Sequence, residues 1–158
     1  PAAIAALPET VRPEIRHQAG RGRAEETARA YRERDIVANV EEFIDDMATA
    51  YGWADLVVCR SGALTVSELA AAGVGAILVP FPHAVDDHQA RNAEYLAEVQ
   101  AARLLREPDC TPERLAALLT ELLRSRSGLL RMAEAARGRA TPDAAERVAD
   151  LCGEFLAR

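Results

Sequence analysis

Two short runs constrain this chain more than anything else in it. Leu56 to Cys59 (LVVC) and Ala76 to Phe81 (AILVPF) are apolar at every position. A strand that keeps one face in water alternates polar and apolar residues. A run with no alternation must be covered on both faces, which is the signature of a parallel strand between two helical layers. Each run is also followed by a helix pattern: Leu64 to Ala72 (LTVSELAAA) ended by Gly73, and Asp87 to Val99. Strand and helix alternate elsewhere in the same way. Glu14 to Gln18 reads as a strand, Ala24 to Arg34 as a helix, and Ile36 to Phe43 as a strand. A helix then begins at Asp45-Asp46, and Ala101 to Leu105 reads as a strand. Thr111 to Arg124, Gly128 to Arg137 and Pro142 to Leu156 read as helices. The expected fold is α/β: a doubly wound, mostly parallel sheet with a helical C-terminal tail over residues 108–158. All 158 residues are expected to form a single domain.

Composition narrows the function classes. The formal charge is −6, and all 19 cations are arginines. A diffuse acidic balance argues against a dedicated nucleic-acid module. Cys59, Cys110 and Cys152 are scattered, with no CxxC and no Cys/His pair at ligand spacing, so they read as reduced thiols of a cytosolic protein. No metal and no cofactor is expected. Val74 to Pro82 is far shorter than the ~20 apolar residues that span a bilayer. The chain opens on Pro1 and a helix-like AAIAAL, and it is expected to be a piece of a longer protein.

In a doubly wound sheet, ligands bind at the carboxyl ends of the strands. Three loops are therefore of interest. In the first, after Val40, Phe43, Ile44 and Met47 can wall a flat apolar slot; Phe43 and Met47, four apart, can equally be core. In the second, Cys59 to Glu68, a strand runs through Ser61-Gly62 directly into a helix. Its free N–H groups and positive end suit a phosphate, although such turns are common. Arg60 can pair with a diphosphate or with an acid. Glu68 has two readings. Thr65-Val66-Ser67-Glu68 fits a capping box, in which Glu68 bonds the Thr65 N–H. Alternatively the Glu68 carboxylate accepts from two ribose hydroxyls. In the third loop, Gln89 and Asn92 share one helix face and suit sugar hydroxyls, or form a solvated polar face. Asp86 or Asp87 can cap the following helix. His83 and His88 beside these acids make only a weak metal pattern. No nucleophile elbow accompanies them.

The segments EEFIDDMATAYGWADLVVCRSGALTVSELAAAG and VPFPHAVDDHQARNAEYL strongly resemble the bacterial peptidoglycan N-acetylglucosaminyltransferase family. The match runs from about Val37 to Glu107, and the tail ATPDAAERVADL also fits. The resemblance implies the C-terminal, donor-binding half of a two-domain GT-B enzyme, with the first strand of its Rossmann-like sheet and the Gly-rich diphosphate loop lying before Pro1. It implies UDP-N-acetylglucosamine as donor. It implies a lipid-linked muramoyl-pentapeptide acceptor bound by the other half. That half would also make the peripheral contact with the inner face of the bacterial plasma membrane, on the cytoplasmic side, and would meet any cell-wall synthesis partners. Residue by residue, Ile44 would read uracil through its backbone, with Phe43 and Met47 lining the slot. Ala63, Leu64 and Thr65 would face the diphosphate and sugar, with Val66 and Ser67 as scaffold. Glu68 would hold the ribose diol. Gln89 and Asn92 would contact the sugar, and His83 and Asp87 would shape the loop. No catalytic residue is assigned, because the base is expected in the other half, and this chain alone is expected to be inactive. The alternatives are the C-terminal half of another GT-B sugar-nucleotide enzyme, or a nucleotide-binding or partner-docking module without catalysis.

Overall fold

The computed structural model describes residues 1–82 and 87–156. Five short parallel strands alternate with helices: β1 (Arg16–Gln18), α2 (Ala24–Arg32), β2 (Asn39–Glu41), α3 (Met47–Trp53), β3 (Leu56–Cys59), α4 (Ala63–Ala72), β4 (Gly75–Leu78), α5 (His88–Ala97) and β5 (Ala102–Leu104). A short α1 (Ala2–Ala5) precedes them, and α6 (Pro112–Leu123), α7 (Arg126–Arg137) and α8 (Ala144–Leu156) follow. The expected α/β fold is present, but the sheet is divided. β1 pairs with β2, and β3, β4 and β5 pair in that order, with no ladder joining the two sets among the described residues.

β4 sits at the centre of the larger set, and every one of its residues is buried. Ala76 and Leu78 pack into one core with Val66, Leu69, Ala93 and Leu96 of α4 and α5. Ile77 points the other way, into a second core with Ala3, Ala116, Leu119, Leu122 and Met132. The unalternating sequence of β4 thus serves two faces at once. Leu69, Ile77, Leu78 and Leu96 are fully buried, and each contributes roughly 1.5–3 kcal/mol over leaving it in water. β3 and β5 flank β4 and are only partly buried.

Helix boundaries follow local chemistry. Asp46 caps α3, its carboxylate accepting from the Thr49 N–H at 2.9 Å and the Thr49 hydroxyl at 2.6 Å. Thr111 and Ser125 cap α6 and α7 through their hydroxyls. α4 ends at Gly73, whose φ of 69° lets Gly73 and Val74 both donate back to the Leu69 carbonyl. The strand expected over Ile36 to Phe43 is much shorter. Asp35 turns the chain at φ 53°, Ile36 is buried and Val37 is 94% exposed before the ladder begins at Asn39.

The register aligns Cys59 with Leu78 and Leu78 with Leu104. The exits of β3, β4 and β5 therefore emerge along one edge. α7 closes against the opposite end of β4. A Cβ placed on Gly75 would lie 2.8 Å from the Met132 Cβ, an atom that no rotamer change can move away. Gly75→Ala is expected to destabilise the chain by about 1–3 kcal/mol. Urea denaturation would show this as a lower midpoint, whereas an unchanged midpoint would mean that α7 can shift outward at no cost.

Candidate functional site

The exits of the five strands carry nearly all of the candidate residues. At the end of the smaller sheet two loops are laced together. The Ala19 and Gly20 N–H groups donate to the Glu41 and Glu42 carbonyls at 2.8 and 2.9 Å, and the Gly22 N–H donates to the Glu42 carboxylate at 2.6 Å. The Ile44 N–H donates to the Gln18 side-chain oxygen at 2.9 Å. Phe43 and Met47 part company here. Phe43 is 52% exposed beside this loop, so its reading as core fails. Met47 packs against the core formed around β4, as the core reading requires.

At the exit of β3 the backbone passes through Ser61 and Gly62 into α4. Gly62 is the N-cap, offers no side-chain cap, and accepts the first helical bond from the Val66 N–H. The Ala63, Leu64 and Thr65 N–H groups thus lie in the first turn, ahead of the helical ladder, at the positive end of a ten-residue helix. Leu64 is 80% exposed, and Ser67 is also exposed, whereas Val66 is buried in the core. The capping-box reading of Glu68 is overturned. The helix starts two residues before Thr65, so Thr65 is not a cap and Glu68 stands within the helix. The Glu68 side chain accepts instead from the Tyr51 hydroxyl at 3.1 Å.

The loops after β3 and β4 are cross-braced. Ser61, fully buried, donates its hydroxyl to the Gln89 carbonyl at 2.7 Å. Asn92 donates its side-chain N–H to the Ser61 carbonyl at 3.1 Å. The Gln89 side-chain oxygen accepts from the Phe81 N–H at 3.0 Å. Gln89 and Asn92 are therefore not a merely solvated face. Each spends one end of its amide on the scaffold, and the other end has no hydrogen-bond partner among the described residues.

Arg60 is a brace as well, and it takes the acid-paired reading. It donates to the Val79 and Pro80 carbonyls at 3.3 and 3.2 Å, pairs with the Glu107 carboxylate, and lies 5.5 Å from the centre of the Phe81 ring. Asp87 occupies the N-cap position of α5 at φ 52°, but its side chain makes no cap bond. It pairs with Arg106 at 3.6 Å. The readings of His83 and Asp86 lie outside the described residues. Among the described residues no group of three or more His, Cys, Asp or Glu is placed to hold a metal ion, and no helix is long and apolar enough to cross a membrane.

Sequence reasoning missed Gln18 and Tyr51. Neither belongs to a spacing pattern, and each reaches its partner across the fold. Burial, then the bond and charge of Glu68, push the Tyr51 phenol well above its usual range. Burial, then the negative Glu68, push the Cys59 thiol up from 9.0 to about 12. In the sequence Cys59 ends β3 and Glu68 lies in the helix that follows it, but Tyr51 stands inside α3, and nothing local ties it to the other two.

The family model for the glycosyltransferase family 28 C-terminal domain matches residues 2–148. The chain belongs to glycosyltransferase family 28. It is 57% identical over 154 residues to the UDP-N-acetylglucosamine--N-acetylmuramyl-(pentapeptide) pyrophosphoryl-undecaprenol N-acetylglucosamine transferase of Marinobacter nauticus, covering 98% of this chain and 42% of that protein. It is 58% identical to the same-named transferase of Pseudomonas fluorescens, with 98% and 43% covered. The crystal structure of Acinetobacter baumannii MurG superposes with a TM-score of 0.89 at 44% identity, over 96% of this chain and 46% of that one. The glycosyltransferase VinC, at a TM-score of 0.61 and 20% identity, shares the fold. The chain thus spans less than half the length of these family 28 relatives.

Two expectations follow from the bracing. Ser61→Ala removes the donor that holds the Gln89 carbonyl and is expected to cost about 1–2 kcal/mol, measured by thermal or chemical unfolding. The second concerns pH. The unfolded Cys59 thiol loses its proton near 9.0 and the folded one near 12, so across that interval the unfolded state binds fewer protons. Stability must then fall as pH rises, by up to about 1.4 kcal/mol per pH unit from this group. Cys59→Ala should flatten that slope above about pH 9 and leave it unchanged below. Equal slopes in both proteins would place the loss in other groups.

Proposed function

We propose that this chain is the donor-binding half of an inverting glycosyltransferase. The enzyme would transfer N-acetylglucosamine from UDP-N-acetylglucosamine to undecaprenyl-diphospho-muramoyl-pentapeptide in peptidoglycan synthesis. The observation that carries this reading is the start of α4. Its first-turn N–H groups at Ala63, Leu64 and Thr65 have no side-chain cap, and they stand at the carboxyl edge of the sheet in a family 28 domain. Membership of the family and the names of the relatives support the donor and the acceptor.

The division of roles follows from the chemistry of each loop. The α4 N-terminus takes the donor diphosphate, with Val66 and Ser67 as its scaffold. In the transfer, an acceptor hydroxyl attacks the anomeric carbon from the face opposite the diphosphate. Negative charge grows on the leaving diphosphate, and fixed N–H dipoles stabilise it without reorganising. Glu68 accepts from the ribose diol. The Phe43–Met47 loop takes the uracil, with Ile44 presenting its backbone carbonyl, and its N–H once the base displaces Gln18, and Phe43 an exposed ring. Gln89 and Asn92 direct their free amide ends to the sugar. A general base must remove the acceptor proton. No residue of this chain is assigned to that role, which belongs to the remainder of the protein, as do acceptor binding and peripheral attachment to the inner face of the plasma membrane. That remainder would also supply a strand between the two sheets.

The reading is tested by an amide NMR titration with UDP-N-acetylglucosamine, UDP and GDP. Shifts at Ile44 and at Ala63 to Glu68 with the two uridine ligands only are expected, with added shifts at Gln89 and Asn92 when the sugar is present. Glu68→Ala should lose roughly 1–3 kcal/mol of UDP affinity. A response to GDP equal to that for UDP would defeat the uridine reading.

A further inference from the structure

Glu68 is an exposed carboxylate on α4, and among the described residues its side chain makes one hydrogen bond, from Tyr51. No ion pair of the described residues includes it. Tyr51 differs from an ordinary surface partner. The residue is 9% exposed and belongs to the core around β4, with Val66 and Leu69 of the same helix that carries Glu68. The donor is therefore fixed by packing. A glutamate on a helix surface otherwise samples several rotamers, and ordering it costs free energy each time a ligand binds.

We infer that Tyr51 is a positioning residue for the ribose-binding carboxylate: its hydroxyl fixes the Glu68 Oε2 atom, so that the remaining acceptor sites of Glu68 face a vicinal diol before any ligand arrives. The inference rests on the donor-binding reading given above. A carboxylate offers about four lone-pair sites, and one donated bond leaves enough for two hydroxyls. The phenol remains a donor throughout the working pH range, because burial and the facing negative charge hold its proton. Cys59 of β3 feels the same carboxylate and is held protonated for the same reasons. Tyr51 and Cys59 are thus both neutral, and neither competes with the diol as a charge.

The test measures binding of UDP, 2′-deoxy-UDP, 2′,3′-dideoxy-UDP and GDP to the chain and to Tyr51→Phe by calorimetry. Phenylalanine keeps the buried ring and removes only the donor. The variant is expected to bind UDP on the order of 3- to 10-fold more weakly, while its affinity for 2′,3′-dideoxy-UDP stays the same. The preference for the diol therefore shrinks, which a purely structural role would not produce. On a Glu68→Gln background the Tyr51→Phe change should add much less than it does alone. A measurement without any variant stands beside this one: the ζ-carbon resonance of ¹³C-labelled Tyr51 should move with UDP and stay still with 2′,3′-dideoxy-UDP. If the unaltered chain prefers UDP and its diol, but Tyr51→Phe keeps the full preference, the inference fails and the donor-binding reading survives. If the Tyr51 resonance ignores the diol, the inference also fails. If the unaltered chain binds UDP no better than GDP, the donor-binding reading itself fails, and the inference goes with it.

Discussion

The double-sided burial of β4 is the constraint on which the rest of this structure depends. Ile77 and Leu78 are both fully buried, although they point into different cores. One strand four residues long thus fastens α4 and α5 on one face and α1, α6 and α7 on the other. Its backbone also carries both β3 and β5 in parallel register. The approach of Met132 to Gly75 locks α7 against the start of the strand. The functional edge lies at the other end, where backbone groups leave the ladder. A rigid centre with irregular exits allows loops to hold polar groups in place while the core excludes water.

Those exits are held by short polar contacts rather than by packing. Phe81, Gln89, Ser61 and Asn92 form a chain of bonds between the β3 and β4 loops. Arg60 ties the same loops to Glu107, beyond β5. The arginine is spent on two carbonyls, a carboxylate and the Phe81 ring, so the positive character of this edge rests on the helix start instead. Backbone N–H groups suit that task because their direction is fixed by the helix, and they need no side-chain ordering when a phosphate arrives. Tyr51 treats Glu68 in the same spirit, with a core residue anchoring a surface one.

Much of this was legible before any coordinates. The runs LVVC and AILVPF announced buried parallel strands because period and burial are coupled in a pleated strand. Asp46, Thr111 and Gly73 marked helix ends through local bonds that form within a few residues. Other features were misjudged for equally local reasons. Thr65 to Glu68 matches a capping box by spacing, yet the helix begins at Ala63, because the Gly62 turn lets the chain enter earlier. Phe43 and Met47 share a spacing but not a fate, since Phe43 precedes α3 and lies outside its helical periodicity. Ile36 to Phe43 reads as a long strand by composition, but pairing along β1 limits the ladder to three residues.

The sequence by itself determined the α/β class, the order of strands and helices, the family, and the three loops on which to look for a site. These follow from periodicity, capping and motif, which are properties of neighbours along the chain. Tertiary structure alone decided that Arg60 is a brace, that Gln18 meets Ile44, that Asn92 holds Ser61, and that Glu68 rests on Tyr51. The physical reason is the same in each case. A hydrogen bond between residues 17 to 31 positions apart depends on how two elements pack. That packing is set by the two cores around β4, and no local pattern encodes it.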